Sequence, residues 1–214
     1  MQNAKKFWDN AAEKYAKSPI ADMKAYEYTL ERTKSYLTKE DHVLELGCGT
    51  GSTALLLAPD VKHITGSDLS SNMVQIAERK AQAKSVSNSR FIVSDINGED
   101  LPKGPYDVVL AFNLIHLLED TPAVMKRISQ LVKPGGLFIS KTVCKPGKGT
   151  PFKLRIMLLV LPLMQFFGKA PFVQFMEIAE LERHVTEAGF KIIETGNHPV
   201  APPSRYIVAK KVGN

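Results

Sequence analysis

The segment Val43-Leu44-Glu45-Leu46-Gly47-Cys48-Gly49-Thr50-Gly51 constrains the fold more than any other stretch of the chain. An apolar run of strand length leads directly into three glycines at alternate positions, and Ser52 to Ala58 then shows helical spacing. Glycines at a strand-to-helix turn let the backbone approach a ligand closely, because they lack side chains and adopt dihedrals that other residues avoid. A flat or extended ligand across the turn is the expectation. Dinucleotide-binding turns carry glycines at relative positions one, three and six. Here they fall at one, three and five with Ser52 in sixth place, which disfavours NAD or FAD.

Around this turn the sequence alternates between short apolar runs and helical patterns. His42 to Leu46, His63 to Ser67, Arg90 to Ser94, Tyr106 to Phe112 and Leu137 to Val143 predict strands. Ser70 predicts the cap of one helix, and Thr121 the cap of another over about Pro122 to Val132, which Lys133-Pro134-Gly135-Gly136 ends. Met176 to Ala188 predicts a helix stopped by Gly189, and Phe190 to Glu194 and Arg205 to Lys210 predict two further strands. Such alternation builds a parallel sheet covered on both faces.

Ahead of the first strand, Phe7, Trp8, Ala11, Ala12 and Tyr15 recur at helical spacing. Met23, Tyr26, Leu30, Thr33 and Leu37 repeat the pattern after Ser18-Pro19. The expected organisation is one domain over 1–214: a helical cap (1–40), a core (41–144), an apolar insertion (145–175), and a helix with a strand pair (176–214).

A chain of 214 residues can bury one sizeable core. Its net charge of +6 favours anionic substrates, nucleic acid or acidic membrane surfaces without selecting among them. Cys48 and Cys144 form neither a disulfide framework nor a metal-ligand pattern, and the N-terminal stretch has no secretory signal, so a cytoplasmic location is expected.

Asp68 and Asp95 each follow a predicted strand, where an open α/β sheet presents carboxylates to the crevice at its strand ends. Asp68 suits the two hydroxyls of a ribose. Asp95 suits an adenine amino group, with Ile96 packing on the ring, although aspartates after strands also form turns.

Glu45 to Gly51, Asp68, Ser94-Asp95, Tyr106-Asp107-Val-Val and Leu131-Val-Lys-Pro-Gly-Gly136 together resemble successive motifs of the class I S-adenosylmethionine (SAM)-dependent methyltransferases. Phe7-Trp8-Asp9 with Ala12 and Tyr15 resembles the N-terminal segment of the branch that methylates quinones, lipids and small metabolites. The resemblance implies a doubly wound, Rossmann-like α/β fold, with a mostly parallel seven-stranded sheet whose last strand is antiparallel. It implies SAM as methyl donor and S-adenosylhomocysteine as product. Glu45 and the backbone of Gly47 and Gly49 would hold the methionine part, Asp68 the ribose, and Asp95 with Ile96 the adenine. Cys48, Leu69, Met73 and Asn113 belong to the same implied cofactor-binding set, and Tyr15 closes the pocket. Simpler roles stand beside these: Glu45 satisfying backbone amides, Tyr15 and Trp8 anchoring a helix, Cys48 packing inertly.

His116, just after the fourth strand, is the first candidate base by the same resemblance, with Tyr15 the second catalytic candidate; a helix-start histidine bonded to backbone is the alternative. The run Ile156 to Phe167 is apolar apart from Gln165 and is too short to span a bilayer. A segment apolar on all sides must be buried, cover a ligand or dip into an interface, and the resemblance implies a lid over a small apolar or amphipathic acceptor. Lys145, Lys148, Lys153, Arg155 and Lys169 flank it, a pattern compatible with contact to anionic lipid through 145–170. Nucleic acid is disfavoured, because Ala111 to His116 departs from an Asn-Pro-Pro-Tyr-like motif.

Overall fold

A computed structural model of the chain describes residues 2–147, 160–161, 163–165 and 170–213. Two helices, α1 (Gln2–Lys17) and α2 (Met23–Lys34), precede the first strand, β1 (His42–Leu46). Then follow α3 (Ser52–Leu57), β2 (His63–Asp68), α4 (Ser71–Ala83), β3 (Ser89–Val93), β4 (Tyr106–Phe112), α5 (Thr121–Leu131) and β5 (Val132–Val143). The described chain closes with α6 (Ile178–Glu187), β6 (Phe190–Asn197) and β7 (Ser204–Lys211).

These strands form a seven-stranded sheet in the order β3-β2-β1-β4-β5-β7-β6. The first five are parallel, and β7 runs antiparallel between β5 and β6. The order reverses between β1 and β4, so the crevice at their carboxyl ends is where an open α/β sheet binds ligands.

The central strand β4 reads as an apolar run from Val108 to Phe112 because both its faces are covered. On one face Leu30 of α2, Ala54, Leu55 and Leu57 of α3, and Val74 and Ala77 of α4 pack on Val43, Val108, Leu110 and Ile139. On the other, Val124, Met125 and Ile128 of α5 and Leu181 and Val185 of α6 pack on Leu44, Val109 and Phe138. At the end of the sheet away from the crevice, Asp107 accepts hydrogen bonds from the His42 amide at 2.9 Å and Lys133 Nζ at 2.7 Å. That aspartate therefore holds strand starts in register.

The cap of α5 differs from the expectation. Asp120 Oδ1 accepts from the Ala123 amide at 3.0 Å, while Thr121 is the first helical residue and its hydroxyl accepts from Gln174 Nε2 at 2.9 Å. A carboxylate also suits the positive end of the helix dipole better than a hydroxyl. The fifth strand also begins earlier than expected, at Val132, because Pro134 and Gly135 form an irregularity inside the ladder between Tyr106–Val132 and Val108–Leu137.

The two N-terminal helices are fastened to different parts of the molecule. Ala12 of α1 is fully buried against Met73 and Ile76 of α4, with Trp8 and Ala16 alongside. In α2, Arg32 pairs with Glu194 of β6, Tyr36 beyond the helix donates to the same carboxylate at 2.6 Å, and Thr33 shares a 3.2 Å hydrogen bond with Tyr206 of β7. Of the two, α1 overhangs the strand-end crevice, which Ala4, Trp8 and Tyr15 line, while α2 lies on the sheet. Among the described residues no helix is long and apolar enough to cross a membrane.

Candidate functional site

The glycine turn takes its shape from backbone that only glycine adopts cheaply. Gly47, Gly49 and Gly51 have φ of 63°, 53° and 71°, in the left-handed region. Space around them differs. A Cβ at Gly51 would lie 2.7 Å from Ala77 Cβ and 2.8 Å from the Phe91 ring, so that glycine serves helix-to-sheet packing. A Cβ at Gly49 would meet only the Tyr15 ring, at 3.8 Å. Its outer side faces open space.

Asp68, at the end of β2, braces the turn. Its Oδ2 accepts from the Gly49 amide and its Oδ1 from the Ser70 amide, both at 2.9 Å. Burial raises its pKa and these two amides pull the other way. Each carboxylate oxygen keeps a second acceptor position. Asp95, after β3, accepts from the Asn97 amide at 2.8 Å, so it forms a turn and still faces the cavity.

A cavity of about 420 Å³ runs along these strand ends, within the size range of small-molecule sites. Of the expected residues, Tyr15, Gly47, Gly49, Asp68, Leu69, Met73, Asp95, Ile96 and Asn113 line it; Glu45, Cys48 and His116 do not. Trp8, Leu117, Leu118 and Phe172 add apolar surface. Among the described residues, every charged side chain in the lining is a carboxylate: Asp68, Asp95, Glu119 and Asp120. A pyrophosphate is repelled by such a wall and a cation is attracted.

Glu45 lies behind the turn, 3% exposed, with Oε2 buried and unpartnered. Desolvation raises its pKa to about 8, the Ala54 amide opposes this, and Asp68 adds to it. Cys48 is buried too, its thiol pKa raised by desolvation and by the nearby Glu45 and Asp68 charges. Tyr15 stands over Gly49, half exposed, its ring at 6.2 Å and a right angle to Trp8. Asn113 follows β4 at φ 53°, its amide donating to the Lys141 carbonyl at 2.7 Å. His116 sits in a 3-10 turn (Ile115–Leu117), 9% exposed, with Nδ1 unpartnered and its pKa lowered by desolvation to about 4.

The chemistry of this donor set matches SAM, whose sulfonium and ammonium are cations and whose nucleoside offers hydroxyl and amino donors. A family model described as a methyltransferase domain matches residues 14–195. The chain belongs to the class I SAM-dependent methyltransferases. This methyltransferase is 26% identical over 161 residues to the ubiquinone biosynthesis O-methyltransferase of Coxiella burnetii, an alignment spanning 75% of the chain and 68% of that enzyme. It is 34% identical over 128 residues to phosphoethanolamine N-methyltransferase 1 of Triticum aestivum, covering 56% of the chain and 25% of that much longer protein. The geranyl diphosphate C-methyltransferase of Streptomyces coelicolor, solved with Mg2+, geranyl diphosphate and S-adenosylhomocysteine, shares the fold at a TM-score of 0.73. There the identity is 13%, with 99% of this chain and 97% of that one covered.

Two roles at or beside the methyltransferase site escaped the sequence, that of Asp9, quoted there only within a motif, and that of Phe172. Asp9 ties α1 to the start of α4, and Phe172 brings the far end of the insertion into the cavity wall. The insertion leaves and rejoins the fold at one place, where the Lys145 amide donates to the Met176 carbonyl at 2.8 Å. Lys145 itself is ion-paired to Glu177 at 2.8 Å. Lys148, Lys153, Arg155, Lys169 and most of the expected lid over 145–175 lie outside the described residues.

Proposed function

We propose that this methyltransferase moves the methyl of SAM to oxygen, nitrogen, sulfur or carbon of a small or medium-sized, largely apolar acceptor by in-line displacement. The observation that carries the reading is the cavity wall built from the glycine turn, Asp68 and Asp95, with carboxylates as its full charges. Bound SAM supplies a methyl already activated on a sulfonium. The chain's work is then mainly to bind, orient and exclude water, which accounts for a large share of such a barrier.

In this reading Asp68 takes the ribose hydroxyls on the acceptor positions its two amide bonds leave free. Asp95 and Ile96 take the adenine, and Gly49 lets the methionine part lie against the backbone. Leu69 and Met73 complete the nucleoside wall. Tyr15 and Phe172 close the cavity from the cap and the insertion. Glu45 acts from behind the turn, holding it in place, and Cys48 packs there.

Tyr15, which lines the cavity, and His116, which is buried behind its wall, are the candidates for proton handling. Burial keeps the His116 imidazole neutral at pH 7, the state a base requires, but its low basicity suits an acceptor that arrives already nucleophilic. Fold and relatives support a small acceptor: the Coxiella relative is named for ubiquinone biosynthesis and the wheat relative for phosphoethanolamine.

Calorimetry with SAM, S-adenosylhomocysteine and NAD tests the reading. Binding of both adenosyl compounds and none of NAD is expected; NAD binding more tightly than SAM overturns it.

A second reading, lipid or quinone methylation at a membrane surface, is favoured by Val160 and Leu163, which are 42% and 58% exposed within the insertion. Flotation with phosphatidylglycerol vesicles at low salt tests it, and failure to float with the vesicles would rule it out.

A further inference from the structure

Lys141 occupies the carboxyl end of β5, beside Phe112 in the parallel ladder with β4 and opposite Tyr206 in the antiparallel ladder with β7. Residues paired across a ladder share a face of the sheet. Phe112 lines the cavity, and Tyr206 bonds to Thr33 of α2. The Lys141 side chain therefore lies on the α2 face, two strands from the strand that carries the glycine turn, about 10 Å across the sheet. The same residue's carbonyl receives the Asn113 amide, which ties it to the exit of β4.

This lysine is 9% exposed. Among the described residues, no carboxylate lies within 4.0 Å of its ammonium, and it donates no hydrogen bond. Asp22, the N-cap of α2, is the carboxylate whose charge favours the ammonium, and its Oδ1 is engaged by the Ala25 amide at 2.9 Å. His198, stacked on Tyr28 at 4.2 Å, feels the lysine as a repelling charge. Lysines are seldom this buried without a partner, because burial strips water from the side chain; the Lys141 Nζ itself keeps a small opening to solvent. Desolvation lowers the Lys141 pKa and Asp22 restores part of it.

Charge is thus segregated across the strand ends. Among the described residues, the cavity that fits the donor is acidic, and a cation without an ion-pair partner lies on the β5 side, next to the cavity-lining Phe112 though not itself part of the lining. We propose that Lys141 is a specificity residue whose ammonium pairs with an anionic oxygen group (carboxylate, phosphate or phenolate) on an otherwise apolar acceptor. This rests on the methyltransferase reading above and adds the acceptor's charge to it.

The test uses the full chain saturated with S-adenosylhomocysteine. Octanoate, octyl phosphate and 4-hydroxybenzoate are titrated against octanol and phenol, in the natural protein and in Lys141→Met and Lys141→Arg. The expected result is at least a tenfold preference for the anionic probes, abolished in Lys141→Met and retained in Lys141→Arg. S-adenosylhomocysteine affinity should stay the same in all three, which also reports that each variant is folded. Absence of anion binding in the natural protein, or a preference that survives in Lys141→Met, overturns the proposal. Failure of S-adenosylhomocysteine itself to bind would instead count against the cofactor reading.

Discussion

Asp9 of α1 accepts a 2.7 Å hydrogen bond from the Ser70 hydroxyl, and that hydroxyl in turn accepts from the Met73 amide as the cap of α4. The same carboxylate oxygen takes the Asn72 amide at 3.2 Å, and the other takes Lys5 Nζ at 2.9 Å. Through this pair the cap helix is pinned two residues from Asp68. The cap helix α1 and the carboxyl end of β2 are thereby one mechanical unit.

Replacing Asp9 with Ala should loosen α1 and weaken S-adenosylhomocysteine about tenfold, because Trp8 and Tyr15 ride on that helix. Burial alone would raise the Asp9 pKa, but the bonds from Ser70, Lys5 and Asn72 outweigh it and hold the value at about 2, against 3.8 ordinarily. Since the folded value is the lower one, this contribution is present above pH 3.8 and disappears as pH falls to about 2. Calorimetric titration and acid unfolding of the two proteins check both points. Equal affinity in the variant would contradict the coupling.

The glycines predict a separation of stability from binding. Gly51→Ala forces a Cβ into Ala77 and Phe91 and should lower the melting temperature sharply, beyond the ~1–2 kcal/mol of left-handed backbone strain. Gly49→Ala meets the same backbone strain but no rigid neighbour, so its additional loss should fall on SAM affinity. Thermal melts with and without S-adenosylhomocysteine distinguish the two. A Gly49→Ala protein that binds normally would remove this glycine from the donor site.

Asp68→Asn keeps an acceptor for one backbone amide but removes the charge. The expected loss of SAM affinity is about 1–3 kcal/mol, that of a hydrogen-bonded carboxylate. Asp107→Asn, at the other end of the sheet, should leave affinity unchanged and cost only stability. Similar affinity losses in both would point to a general effect on the fold.

Glu45 should make stability fall with rising pH. It is neutral in both states below pH 4.5, and above that the unfolded chain ionises while burial keeps the folded carboxyl protonated up to about pH 8. The stabilising contribution is therefore complete at low pH and lost across that window. Glu45→Gln, which carries no titrating group, should melt progressively higher relative to the natural protein between pH 5 and 8. Parallel melting curves for the two proteins would rule out a buried protonated Glu45.

Much of the fold was legible because strand and helix periods are local. The run from Val43 to Leu46, the glycines after it and the Ser70 cap each specify their element within a few residues. The cap of α5 was misplaced by one residue, since Asp120 and Thr121 are both good cap residues and only the backbone path chose between them. The aspartates at the strand ends were legible too, because the alternation of strands and helices fixes which end of the sheet they occupy. The bracing role of Asp9 was not: the motif named the residue, but its bonds to Ser70 and Asn72 exist only once the helix is docked against α4.

The Gly47-to-Gly51 turn, Asp68 and Asp95 are determined by the sequence itself, since the chain there must bend sharply where consecutive strands end. The burial of Glu45, the unpartnered ammonium of Lys141 and the exclusion of His116 from the cavity wall were decided by tertiary structure. Each depends on what packs against the residue from a distant part of the chain, and hydration is lost or kept according to those contacts rather than to neighbours in sequence.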